Sequence, residues 1–206
     1  MQTDVDSQRF PRLSAYLSRL PHGIDTYPEH RAKAAMYRDA LDDRPLFLAD
    51  GDLPDPLMSL VRQPVDPQAW IPEVHMNAVF YAIADEHFRD VPVDDFIEWT
   101  YGRNMHLLNQ AWFRVLFAVA KPEWILRGIE KRWSQFRQGT ELRLTERESQ
   151  RVRVRLIYRP FLHDADSVRC IGAALRAAAT IAGAERVVEA VEHCDEVYTD
   201  FLYTWQ

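Results

Sequence analysis

Two runs of alternating residues, TELRLTER and RVRVRLIYR, stand three residues apart near the middle of the chain. Leu142, Leu144, Val152, Val154 and Leu156 take every second place, and Arg143, Thr145, Arg151, Arg153 and Arg155 fill the places between. A period of two with one apolar face is the signature of a half-buried strand pair. The spacing predicts a hairpin with Glu148, Ser149 and Gln150 as its loop. A helix is expected over 166–182, with Gly183 at the position that favours a left-handed cap residue. Two more strands are expected over 186–192 and 196–205. The region from 140 onward therefore reads as strand, strand, helix, strand, strand in an antiparallel sheet. With a three-residue loop, Arg143, Arg147, Arg151, Arg153 and Arg155 share one face. Like charges facing one another cost stability. Glu189, Glu196 and Asp200 are candidates to offset them, and a partner surface is the alternative.

The first 139 residues read as helical. Phe10 to Leu20 is amphipathic and ends at Pro21. Pro28 is placed at a helix start, with Ala32, Ala35, Met36 and Leu41 at helical spacing. Prolines crowd the following stretch, leaving loops and one short helix from Pro56 to Arg62. Pro72 opens PEVHMNAVFYAIADEHF, apolar all round in its middle and so the central helix of this part. A further helix follows Pro92, with Asp94 and Asp95 at its positive end. Helices HLLNQAWFRVLFAVA and EWILRGIEKRWSQF complete the helical part. The fold expectation is α+β, a single domain over 1–206 with a helical part (1–139) packed on the sheet part (140–206).

With 47% apolar residues the chain buries a sizeable core, and its net charge of -6 speaks against nucleic-acid partners. The longest apolar run, AWFRVLFAVA, is too short to span a bilayer. A polar start and two cysteines, Cys170 and Cys194, fit a cytoplasmic protein without a disulfide framework.

The helix ending in RWSQFRQG, the order strand–strand–helix–strand–strand closing on a tryptophan, and GAALRAAATIAGA leading into a strand together resemble a family of uncharacterised myxobacterial proteins. That family is similar to the heme nitric-oxide-binding domain, the 4-vinyl-reductase-type domain and the trafficking-particle subunits of the same fold. The resemblance covers roughly 70–205. It implies a pocketed sensory fold, with heme as the cofactor of its heme-binding members. Those members carry Tyr-x-Ser-x-Arg against the heme propionates. This chain has IYRPF instead, with Tyr158 directly followed by Arg159.

No glycine-rich phosphate loop, GxSxG elbow or HExxH occurs, so no catalytic constellation is visible and an enzyme is the least favoured class. His75, Asp85 and His87 share one helix but not one face. HDADS, 163–167, carries two carboxylates and a histidine, and its plain reading is a helix cap by Asp164 or Asp166. No metal spacing such as CxxC is present, and no structural metal is expected.

The leading expectation is a non-enzymatic sensory or ligand-binding domain with an apolar pocket between helices and sheet. The site is placed where a helix over Tyr101–Ala120 faces the sheet. Arg103, Asn104 and His106 supply its polar groups, Trp112 an aromatic wall, and Tyr158 and Arg159 the nearest counterpart of the propionate motif. His106 is the candidate to ligate iron or to hold a ligand's polar end, and Arg103 to pair with a carboxylate. No cofactor other than such a heme is expected. The alternative is an interaction module, a homodimer or adaptor without a small ligand.

Overall fold

The computed structural model describes residues 5–63, 65–110 and 129–206. The chain divides into two compact units, 1–96 and 97–206. The class is α+β with a C-terminal antiparallel sheet, as the period-two pattern requires.

The first unit is built on four helices: α1 (Pro11–Arg19), α2 (Ala35–Asp43), α3 (Asp55–Arg62) and α4 (Glu73–His87). Helix α4 is its axis. Val74, Met76, Ala78, Val79, Tyr81, Ala82, Ile83 and Ala84 are all buried, matching its unbroken apolar middle. Helix α1 begins at Phe10, which has no side chain able to cap it. The cap comes from α4: the backbone N–H groups of Arg12 and Leu13 donate to the Asp85 carboxylate at 3.1 and 3.0 Å. Tyr16 lies 5.0 Å from Tyr81, ring to ring, and its hydroxyl accepts from Asn77.

The helix expected from Pro28 starts late. Arg31–Lys33 forms strand β1, paired antiparallel with β2 (Trp70–Pro72), and the helix opens only at Ala35. The pairing partner lies about forty residues away in sequence, so local periodicity carried no trace of it. Near Ile24, burial lowers the His75 pKa against the backbone bond that raises it.

Helix α5 (Val93–Leu108) crosses from the first unit into the second. It runs straight through Gly102, and its end at Leu108 corrects the expectation of one helix over Tyr101–Ala120. Beyond 110 that helix, with Trp112, lies outside the described residues, as does the segment before α6 (Ile129–Phe136).

A short strand β3 (Arg137–Gln138) and Gly139 at φ 88° then lead into the main sheet. Its strands are β4 (Glu141–Arg147), β5 (Arg151–Ile157), β6 (Val188–Cys194) and β7 (Tyr198–Thr204), in the order β4-β5-β7-β6. The three-residue loop is as read: Glu148 donates to the Arg151 carbonyl across it.

Helix α7 (Ala165–Ile181) joins the two hairpins. Asp164 caps it with a reciprocal box, its carboxylate accepting from the Ser167 amide while the Ser167 hydroxyl accepts from the Asp164 amide. Its buried residues include Val168, Ile171, Gly172, Ala173 and Ala177. Of the expected packing stripe Ile171, Ala174, Leu175 and Ala178, only Ile171 is fully buried, so the contact stripe is rotated. Gly172 leaves room for the side chains of Glu189 and Phe201 beneath the helix, and its carbonyl accepts from the Tyr203 hydroxyl at 3.1 Å.

Among the described residues no helix is long and apolar enough to cross a membrane.

Candidate functional site

The two faces of the main sheet follow from strand register. Val152, Val154 and Leu156 on β5 stand beside Tyr203, Phe201 and Thr199 on β7, which in turn stand beside Glu189, Val191 and Cys194 on β6. These form the face turned to α7. The other face carries Arg151, Arg153 and Arg155.

That outer face is compensated in a way the sequence did not give in full. A bulge between Leu144 and Glu146 shifts the register, so Glu146 stands opposite Arg153 while Arg147 stands opposite Val152. Arg147 therefore leaves the arginine row and a carboxylate takes its place. Thr145, the extra residue, donates its hydroxyl to the Arg153 carbonyl. Arg153 bonds both Glu146 and Glu192, and Arg155 makes a two-pronged bond to Asp200 at 2.7 Å on each prong. Of the expected partners Asp200 holds. Glu189 does not, because its register place beside the buried Tyr203 turns it to the opposite face. His193 stacks on Tyr198 and pairs with Asp195.

The inner face is only partly covered by α7. Between β6, α7 and the start of the second unit's share of α5 lies an open groove of about 360 Å³. Its apolar wall is Ile97, Val168 and Val191, with Ala165 at the side. Its charged residues are Glu98, Arg169, Arg176 and Glu189, and Cys194 stands at one end.

Glu189 reaches under α7 because residue 172 is glycine: a Cβ there would sit 1.9 Å from the Glu189 Oε1 and 3.0 Å from the Phe201 ring. Arg176 is held elsewhere. It donates to the Glu98 carboxylate at 2.7 Å, and its guanidinium lies 4.1 Å over the Tyr101 ring. Glu189 thus has no hydrogen-bond or ion-pair partner among the described residues. Burial pushes its carboxyl up to about 7, against the fields of Arg176 and Arg169, which act through space to lower it. A carboxylate of that kind in a cleft changes charge near neutral pH and accepts a donor when one is supplied.

None of Arg103, Asn104, His106, Tyr158 and Arg159 lines the groove. Arg103 bonds the His106 Nδ1 at 3.1 Å, and His106 is exposed. Asn104 donates to the Thr100 carbonyl one turn back in α5. Tyr158 is buried at the β5 end, its hydroxyl donating to the Asp195 carbonyl and touching Thr199 Oγ1, both at 2.9 Å. Arg159 is exposed. Trp112 lies outside the described residues. His163 is buried edge-on against Tyr158, and burial pulls its pKa down to about 3. Cys170 faces Thr100, and burial pushes its thiol up to about 12.

The groove residues Glu189, Arg176 and Glu98 were missed as site residues. One signal pointed toward Glu189: a glycine inside a helix, which marks close approach.

The groove offers no histidine to a heme iron. All seven histidines of the chain are among the described residues, and none lines it. Among the described residues, no three His, Cys, Asp or Glu side chains gather as a metal cage.

No family model matches the chain, and no curated protein matches it. Solved structures do. A structure from work on heme distortion in the H-NOX family is similar with TM-score 0.55 at 10% identity, over 84% of this chain and 92% of that one. An H-NOX protein from S. oneidensis in the Fe(II)NO ligation state gives TM-score 0.53 at 9% identity, over 84% and 89%. An oxygen-binding H-NOX domain related to soluble guanylate cyclases gives 0.50 at 9% identity, over 96% and 95%. At these identities the likeness is one of fold, and the chain has an H-NOX-like fold.

Proposed function

We propose that this chain is a non-enzymatic sensory domain of H-NOX-like fold that binds a small ligand, in a cytoplasmic setting and without nucleic-acid partners. The observation that carries the reading is the groove on the inner sheet face, where a carboxylate without a partner stands beside an apolar wall. Sites for small molecules combine those two features. The kinship with myxobacterial, vinyl-reductase-type and trafficking-particle proteins belongs to this proposal.

Heme is named for two of the similar structures. The groove supplies no histidine for it, so we place a ligand other than heme there. An absorption spectrum and a native mass of the freshly purified protein test both halves. A co-purified small mass without a Soret band supports the proposal. A stoichiometric Soret band sinks the second half and leaves the first. Its iron ligand would then be sought first by His106→Ala, on the expectation that Arg103, Asn104, His106 and Trp112 border a pocket.

A second reading, a homodimer or adaptor, draws on β6. This strand is at the sheet edge and leaves Val188 62% and Val191 40% exposed. Exposed edge strands pair readily with another chain. A dimeric native mass with no bound small molecule would favour it.

A further inference from the structure

We propose that the groove between β6, α7 and α5 takes a small organic cation, a primary ammonium on a short branched apolar chain, with Glu189 receiving the ammonium. The inference rests on the ligand-binding reading above and specifies its ligand class.

The geometry sets the head group. Glu189 is an acceptor aimed under α7 through the gap at Gly172, and no side chain among the described residues donates to it. The nearby cations are committed or distant. Arg176 is bonded to Glu98 and stacked on Tyr101. Arg169 acts on Glu189 only through its field. A half-buried carboxylate met by no protein donor keeps its acceptor capacity for a ligand's donors. An ammonium supplies three donors and the opposite charge. A carboxylate ligand would face the Glu189 carboxylate at close range, and a neutral ligand would bring it no charge beyond the fields of Arg169 and Arg176.

The walls set the tail. Ile97, Val168 and Val191 offer branched apolar surface, and 360 Å³ suits a chain of a few carbons.

The binding is linked to protons. The groups facing Glu189 are Arg169 and Arg176 on α7, Glu98 on α5, Tyr203 on β7, and Cys194 at the end of its own strand. Burial holds Tyr203 neutral well above the neutral range. Glu189 is therefore the group whose charge changes near neutrality, and an ammonium binds its ionised form.

The test titrates isoamylammonium and its neutral isostere isoamyl alcohol into the full chain by calorimetry. A groove that works this way binds the ammonium about tenfold tighter at about pH 8 than at about pH 6. The alcohol binds more weakly at the upper pH and without that slope. Glu189→Gln, with its fold verified by circular dichroism, abolishes the slope and weakens the ammonium. Equal affinity for ammonium and alcohol at the upper pH overturns the proposal, as does a slope that survives in Glu189→Gln. Either result leaves the ligand-binding reading standing if a small mass co-purifies. Binding of neither probe, with a clean native mass, overturns both.

Discussion

The two faces of the main sheet solve the same problem in opposite ways. Outside, arginines stand in a row and each of Arg153 and Arg155 is met by a carboxylate in direct contact. Inside, the relation is reversed: Glu189 is a carboxylate with two arginines in its field and neither in contact. Apart from the covered Asp200, the outer ladder is partly open to water, where ion pairs contribute little. The inner carboxylate is partly withdrawn from water, where a charge without a partner is costly. A satisfied charge row describes a solvated surface, whereas the inner carboxylate is the group that the proposed ligand would meet.

Breaking the inner face should have the larger effects. Phe201→Ala removes a fully buried ring from beneath α7 and should cost about 3–5 kcal/mol in denaturant unfolding. A loss below about 1 kcal/mol would mean the helix does not rest on that ring. Gly172→Val closes the gap that Glu189 occupies and presses on the Phe201 ring, for about 2–3 kcal/mol. It should also expel the carboxylate, returning its titration, followed by carbon-detected NMR, to the ordinary range. An unshifted titration in this variant would separate Glu189 from the glycine.

The pH dependence is smaller and has a definite sign. The folded pKa of Glu189, about 7, lies above its ordinary 4.5, so folding favours the protonated form. That contribution is fully present below 4.5 and is lost as the pH rises through about 7. Glu189→Gln should therefore remove a loss of about 1–2 kcal/mol between those limits, after allowance for the solvent that reaches the groove. Identical stability–pH curves for the two proteins would sink the assignment. On the outer face, Arg143→Ala breaks an exposed pair with Glu141 and should cost about 0.5 kcal/mol or less. A cost of several kcal/mol there would erase the contrast between the faces.

The hairpin, its loop, the cap at Asp164 and the glycine after α7 were legible because each depends on neighbours within a few residues. The buried axis of α4 was legible because its apolar residues leave no polar side. The strand β1 was not, since its partner β2 is distant in sequence. Nor was the capping of α1 by Asp85, which joins residues more than seventy places apart. The expected site residues Arg103, Asn104 and His106 sit together on α5, as their spacing implies, yet two of them bond each other and the third bonds its own helix. Helical spacing fixes which residues are neighbours on one helix, and says nothing about what faces them.

By itself, the sequence determined that this chain is α+β, that its last third is an antiparallel sheet carrying one helix, and which strand residues alternate between faces. Alternation and capping are local consequences of backbone geometry, so they can be read in a line. Only the tertiary structure decided where that alternation slips. The bulge at Thr145 exchanged Arg147 for Glu146 in the arginine row, and the register of β6 against β7 turned Glu189 inward, under Gly172. A one-residue shift in register reverses every later side chain, and register is set by pairing across the sheet and by the helix that packs on it.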